Sequence, residues 1–289
     1  MRRVLFVAAA VTALSCTPKN PSSIPTPANP PGAPPPAPPP AAPPQALRLG
    51  PSALRYVMHQ VIHVDQQLPD RQLRVDYGLR IFFAVTISGP ADSIGYRTTI
   101  TIDSITPDSG ATPPPGVNLG VAKALSFAGW LTATGEFRNP VASDTMVAQA
   151  LSPVVGSFKS FFPRLPASGV AINASWTDTV TTSDRSAGNV TLTSINRSHA
   201  AAWEDRNGTR TVRVEVTSTF TIKGNGEQFG QPFEVAGTGV RSGVDYVAVD
   251  GRYMGGESHD STTMTITLPI QTMTIPRTQV SKTTVTVLP

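Results

Sequence analysis

Cysteine is all but missing from this chain: Cys16 is the only one in 289 residues. No intrachain disulfide can staple the fold, so its stability must come from a buried core. Charge is also sparse, at 15% of residues, and aromatic residues make up only 7%. There is no run of Lys or Arg. The basic residues Arg2, Arg3 and Lys19 precede residue 46 and no acidic residue does, which leaves 20 basic against 19 acidic residues in the remainder. The electrostatic footprint of a nucleic-acid binder is therefore missing, despite a pI near 9.5. No phosphate-binding loop, dinucleotide fingerprint or zinc spacing occurs, and no cofactor is implied.

The N-terminus has the character of an export signal. Met1-Arg2-Arg3 is a short positive start, and Val4 to Leu14 is an apolar run too short to span a bilayer as a helix. It leads into Ala13-Leu14-Ser15-Cys16, which resembles the lipobox of bacterial lipoproteins. That resemblance implies cleavage after residue 15, lipidation of Cys16 and anchoring to a membrane. An ordinary secretory peptide is the alternative, and the Arg2-Arg3 pair admits a twin-arginine route. Thr17, where an Asp holds many lipoproteins in the inner membrane, implies an outer-membrane destination, with the domain facing the periplasm or the cell surface.

Residues 16–45 then read as a lipidated, disordered tether. The stretch is Pro, Ala, Ser, Thr and little else, with Pro34-Pro35-Pro36 and Pro38-Pro39-Pro40. Such a segment has few backbone donors and nothing to bury. In polyproline II, at about 3.1 Å per residue, it reaches roughly 80–90 Å.

Residues 46–289 read as one antiparallel β domain, because period-2 alternation dominates. Val75, Tyr77, Leu79, Ile81, Phe83, Val85 and Ile87 share one face, opposite Asp76, Arg80 and Thr86. Ile94, Tyr96, Ile100 and Ile102 repeat the pattern. Val212, Val214, Val216, Phe220 and Ile222 oppose a Thr-rich face, as do Met264, Ile266, Leu268 and Ile270. Turns are expected at Ser88-Gly89-Pro90, Pro107 to Gly110, Asn207-Gly208, Gly224-Asn225-Gly226 and Asp250-Gly251. Ten or eleven strands, several of a dozen residues or more, suit a large curved sheet or half-barrel better than a compact sandwich.

One segment breaks the pattern. From 144 to 162, Val147, Leu151, Val154, Val155, Phe158 and Phe162 recur at helical spacing. Asp144 is the expected N-cap, and Ser152-Pro153 predicts a second cap and a kink. This kinked helix must lay its apolar stripe on the concave face of the sheet, as a plug or as a lid.

A lipobox, a tether, a long antiparallel sheet and an inserted helix together resemble the half-barrel lipoproteins of the LolA/LolB/LppX-like group. So does the passage Phe161-Phe162-Pro163-Arg164-Leu165-Pro166 into Ala174-Ser175-Trp176-Thr177-Asp178-Thr179, which is similar to a helix-to-strand junction of uncharacterised bacterial lipoproteins. The resemblance implies a hydrophobic or lipid-like ligand held between sheet and helix. Phe83, Phe127, Phe158, Phe161 and Phe162 are the expected lining.

Candidate chemistry is thin. His59 and His63 have helical metal spacing, but the local alternation is that of a strand, where four residues span about 13 Å. Gly255-Gly256-Glu257-Ser258-His259-Asp260 sets Ser, His and Asp side by side; adjacent strand residues face opposite ways, so a solvated hairpin tip is the expectation. His199, Trp203, Glu204 and Asp205 make a polar cluster without an identifiable partner. Asp92, Asp103 and Asp108 are too scattered for a calcium loop. The expectation is a non-catalytic binder, with a structural or protein-docking module using the Thr-rich face as the alternative.

Overall fold

The computed structural model describes residues 47–108, 118–184, 188–228 and 231–289. The expected export signal, Cys16 and the expected tether fall outside the described residues, as do Ser109 and Gly110 of the expected turn.

Eleven antiparallel strands form one open sheet. They are β1 (Ser52–Gln67), β2 (Gln72–Ser88), β3 (Tyr96–Pro107), β4 (Ser126–Leu131) and β5 (Phe137–Ala142). After the helical segment come β6 (Ser175–Asp184), β7 (Gly188–Arg206), β8 (Thr209–Gln228), β9 (Gln231–Ala248), β10 (Tyr253–Leu268) and β11 (Met273–Val287). Each strand pairs with its neighbour in sequence except β5 with β6, and β1 additionally pairs β11 over Tyr56–Gln66. The sheet order is therefore β5-β4-β3-β2-β1-β11-β10-β9-β8-β7-β6. The seam lies between β5 and β6, and the connection between them carries the helices. Closure into a barrel requires these two edges to meet, and they do not.

That connection covers part of the concave face instead. Helix α1 (Thr145–Ala150) starts at Asp144, whose carboxylate accepts from the Val147 N–H at 3.0 Å, satisfying an orphan donor as expected. Helix α2 (Ser152–Val155) and a 3₁₀ turn at Gly156–Ser160 follow. Here Leu151, not Ser152, occupies the cap, so no side chain caps α2, and Ser152 is already the first helical residue. The kink stands because Pro153 lacks an N–H to continue α1. Leu151, Val154, Val155, Phe158 and Phe162 are all buried, and Val147 packs at their margin.

Strand alternation follows the sequence closely. On β2, Leu79, Ile81, Phe83, Val85 and Ile87 are buried. On β3, Thr98, Ile100 and Ile102 point inward; a register shift opposite Phe82/Phe83 then turns Ile105 inward as well. Ile94 precedes the strand, in a turn where Asp92 accepts from the Ile94 and Gly95 N–H groups. Ile270 lies past the end of β10 and is exposed.

Two expected loops are sheet interior. Gly224-Asn225-Gly226 lies within β8, paired with β7 and β9. Its glycine content serves close strand approach: a Cβ on Gly224 would come within 2.3 Å of the Asn189 carbonyl. Gly255 to Asp260 lies in β10, just past an irregularity between Tyr253 and Gly256 where Gly255 adopts φ +87. By contrast, Asn207-Gly208 makes the expected hairpin turn, with both residues at positive φ.

Removal of a central ring tests this packing. Phe83 is fully buried, so Phe83→Ala lowers unfolding free energy by about 3–5 kcal/mol. Val240→Thr on the convex face changes it by less than about 0.5 kcal/mol. Urea denaturation of both variants measures the contrast.

Candidate functional site

The concave face has two halves. Beneath the helical segment it is an apolar core, and the aromatic rings are its centre. Phe83 stacks with Tyr56 at 5.5 Å between centroids and meets Phe158 edge-on at 4.9 Å and Phe161 at 5.3 Å. Phe127 lies 5.8 Å from Phe158, and Phe161 lies 5.0 Å from Phe162. The five phenylalanines expected to line a cavity thus do converge, but they converge on one another. Phe83 and Phe158 are packed core, Phe127 is half-buried against it, and of the five only Phe161 and Phe162 line the cleft.

That space is the other half. A cleft of about 410 Å³ runs over the concave surface of β6–β11, rimmed by Ser157, Lys159, Phe161, Phe162 and Arg164. It falls within the size range of ligand sites. Its floor is mixed. Val180, Leu192, Val216, Phe220, Ile222 and Met264 supply apolar surface, and serines, threonines and charged groups lie among them.

Strand register explains the arrangement of the polar groups. Asp178 pairs with Asn196, Asn196 with Ser218, Ser218 with Arg241, Arg241 with Asp260 and Asp260 with Ser281. One residue from each of six consecutive strands therefore forms a single row across the floor. Side-chain hydrogen bonds join it as two triplets, Asp178–Asn196–Ser218 and Arg241–Asp260–Ser281. Asn196 donates to Asp178 at 3.4 Å, and Ser218 donates to Asn196 at 2.7 Å. The Arg241 guanidinium donates to Asp260, and Ser281 donates to the other Asp260 oxygen at 3.3 Å. Ser218, Asp260 and Ser281 are 6%, 9% and 7% exposed, so these are polar side chains held within the sheet face.

Asp245 stands on the same face of β9, four residues along from Arg241. Burial pushes its carboxyl up to about 6, although the Tyr253 hydroxyl donates to it at 2.8 Å and Arg241 is near. Tyr253 in turn packs edge-on against Phe161 at 5.2 Å, which ties the carboxyl to the end of the plug.

The remaining candidate residues do not assemble. His59 and His63 lie on the outward face of β1, bonded to Asp108 at 2.6 Å and Asp76 at 2.8 Å respectively. Ser258 lines the cleft while His259 lines an outer-surface depression with Val240, so the Ser-His-Asp run is split between faces. His199 contacts Ser175, Arg210 lies over Trp203, and Glu204 faces Arg213. Asp92, Asp103 and Asp108 are separately engaged by Trp130, Arg55 and Arg80. Among the described residues no three His, Cys, Asp or Glu side chains converge as metal ligands.

The fold and cleft define an open, plugged antiparallel half-barrel with an amphipathic concave surface. No protein-family model matches the chain, and no curated protein matches its sequence.

The Asp245 shift has a consequence for stability. Its folded value near 6 exceeds the unfolded carboxylate value of about 3.9, so the folded state binds the proton more tightly between these limits. This group's contribution is therefore greatest below about pH 4 and is lost as pH rises through about 6. Asp245→Asn keeps an acceptor for Tyr253 and removes the charge. The variant gains stability relative to wild type between pH 4 and 7, by on the order of 2 kcal/mol. Urea titrations at several pH values measure the difference curve.

Proposed function

We propose that this chain is a non-catalytic lipoprotein of the bacterial cell envelope that holds an amphiphilic, lipid-like ligand in its concave cleft. In this reading Cys16 carries the membrane anchor and residues 16–45 set the distance from the membrane, with the outer membrane as the destination. The resemblance to the LolA/LolB/LppX-like half-barrels is part of the same proposal, and it supplies the precedent of a ligand held between sheet and helix. The observation that carries it is the cleft beside the plug: apolar side chains and buried polar groups share one floor, open at the end the plug leaves uncovered. A purely hydrophobic cargo is the poorer fit, since it strands those polar groups without water.

A docking module is the second reading, and the outer face favours it. Thr181, Thr193, Thr221, Thr238, Thr263 and Thr278 form one unbroken row across six strands. In the next row Val240 and Ile195 are exposed.

Native mass spectrometry of the full chain, purified gently from its own host, separates the two. A bound amphiphile gives an added mass that organic extraction removes, whereas the covalent anchor stays. Val216→Trp fills the cleft and weakens binding of a fluorescent fatty-acid probe by at least about tenfold. An apo mass together with no probe binding by wild type favours docking through the outer face.

A further inference from the structure

We infer that the row Asp178–Asn196–Ser218–Arg241–Asp260–Ser281 is a recognition subsite for an uncharged polyhydroxylated headgroup, a sugar, whose attached alkyl chain lies on the neighbouring apolar positions. The inference rests on the cleft reading above and names the ligand class for it.

The first support is cost. A carrier of alkyl chains alone needs only an apolar floor, and burying hydrogen-bonding groups beneath such a chain is unfavourable. Yet Ser218, Asp260 and Ser281 are among the buried polar residues, Ser218 between the apolar Val216 and Phe220, and the other two among further polar positions of the same floor, Ser258, Thr262, Gln279 and Thr283. Two acceptors on cleft residues, Asp178 Oδ1 and Gln60 Oε1, are also buried without a protein partner.

The second support is the order of donors and acceptors. Along the row stand a carboxylate, an amide, a hydroxyl, a guanidinium, a second carboxylate and a second hydroxyl. Carboxylates only accept, the guanidinium only donates, and amides and hydroxyls do both. A sugar hydroxyl also does both, so one ring can satisfy neighbouring members of opposite kind. A phosphate or carboxylate headgroup only accepts and meets Asp178, Asp260 and Asp245 in the same cleft. An alkylammonium only donates and meets Arg241 at the centre of the row.

The third support is apolar surface adjoining the row on the same floor. Val216 and Phe220 flank Ser218 on β8, two residues to either side and so on the same face. The Phe220 ring folds over Gly239, where a Cβ would come within 2.2 Å of it. A headgroup on the row thus has hydrocarbon surface directly beside it for the first carbons of its chain.

The test is calorimetric titration of the full chain with four amphiphiles of equal chain length, below their micelle concentrations: octyl glucoside, octylammonium, octanoate and octyl phosphate. Octyl glucoside is expected to bind at least about tenfold more tightly than the other three. Asp178→Ala is expected to reduce glucoside affinity by about tenfold and leave octanoate binding unchanged. Asp178 lies on an edge strand, so Ser218→Ala, which removes the bond to Asn196 from inside the sheet, is measured alongside and is expected to act in the same direction. Preference for either anion or for the ammonium overturns the inference, as does loss of octanoate binding in step with glucoside. Equal binding of all four overturns the subsite and leaves the cleft reading standing. Binding of none overturns both.

Discussion

Phe158 seated on Phe83, with Phe161 and Tyr56 closing around them, is the contact on which the rest of the structure depends. A sheet of eleven strands with one apolar face must cover that face, and its edges β5 and β6 never meet to do so. The chain solves the problem locally. The connection that would have to be crossed for closure carries the apolar stripe that covers half of the face. Each edge-on aromatic pair contributes about 0.5–1.5 kcal/mol beyond its area, and these pairs fix where the plug sits. The uncovered half of the sheet is the cleft.

The plug also explains why the two halves of the floor differ in chemistry. Beneath it, Leu79, Ile81, Ile100, Val212 and Val214 are sealed and uniformly apolar. Beyond it, the same inward-facing strand positions carry Asp178, Ser218, Arg241, Asp260 and Ser281. A polar residue facing inward is tolerated there because water or a ligand reaches it, or because the neighbouring strand provides a partner at the same register. Asp260, held from both sides by Arg241 and Ser281, is of the second kind. Asp178 is held from one side only: Asn196 donates to one oxygen, and Oδ1 is buried without a protein partner.

Much of this fold was legible in the sequence. The alternation on β2 and β8, the helical spacing from Val147 to Phe162 and the Asp144 cap all correspond to observed elements, because each is a local pattern with one physical cause. Glycine misled. At Gly224 and Gly255 it reads as a turn signal, whereas here it permits close strand approach and a bulge, needs that arise only once partners are in place. The polar row was harder still. On β8 its signal is one polar residue inside an apolar alternation, Ser218 between Val216 and Phe220, but on β7, β10 and β11 the same-face neighbours are polar as well (Ser194 and Ser198, Ser258 and Thr262, Gln279 and Thr283), so nothing local singles out the row there. Only the register of five pairings, spread over a hundred residues, lines its members up. The five phenylalanines were identifiable as inward-facing, but their spacing could not tell a filled core from a cavity wall, since both want the same side chains.

The central claim is that the uncovered concave half is where a ligand sits. Methyl-resolved NMR of the full chain, titrated with an amphiphile extracted from its host envelope, tests it most directly. The account predicts shifts concentrated on Val180, Leu192, Val216, Ile222 and Met264, with Ile195, Val240 and Val280 on the outer face unmoved. Shifts confined to the outer-face methyls, or none at saturating ligand, would contradict it.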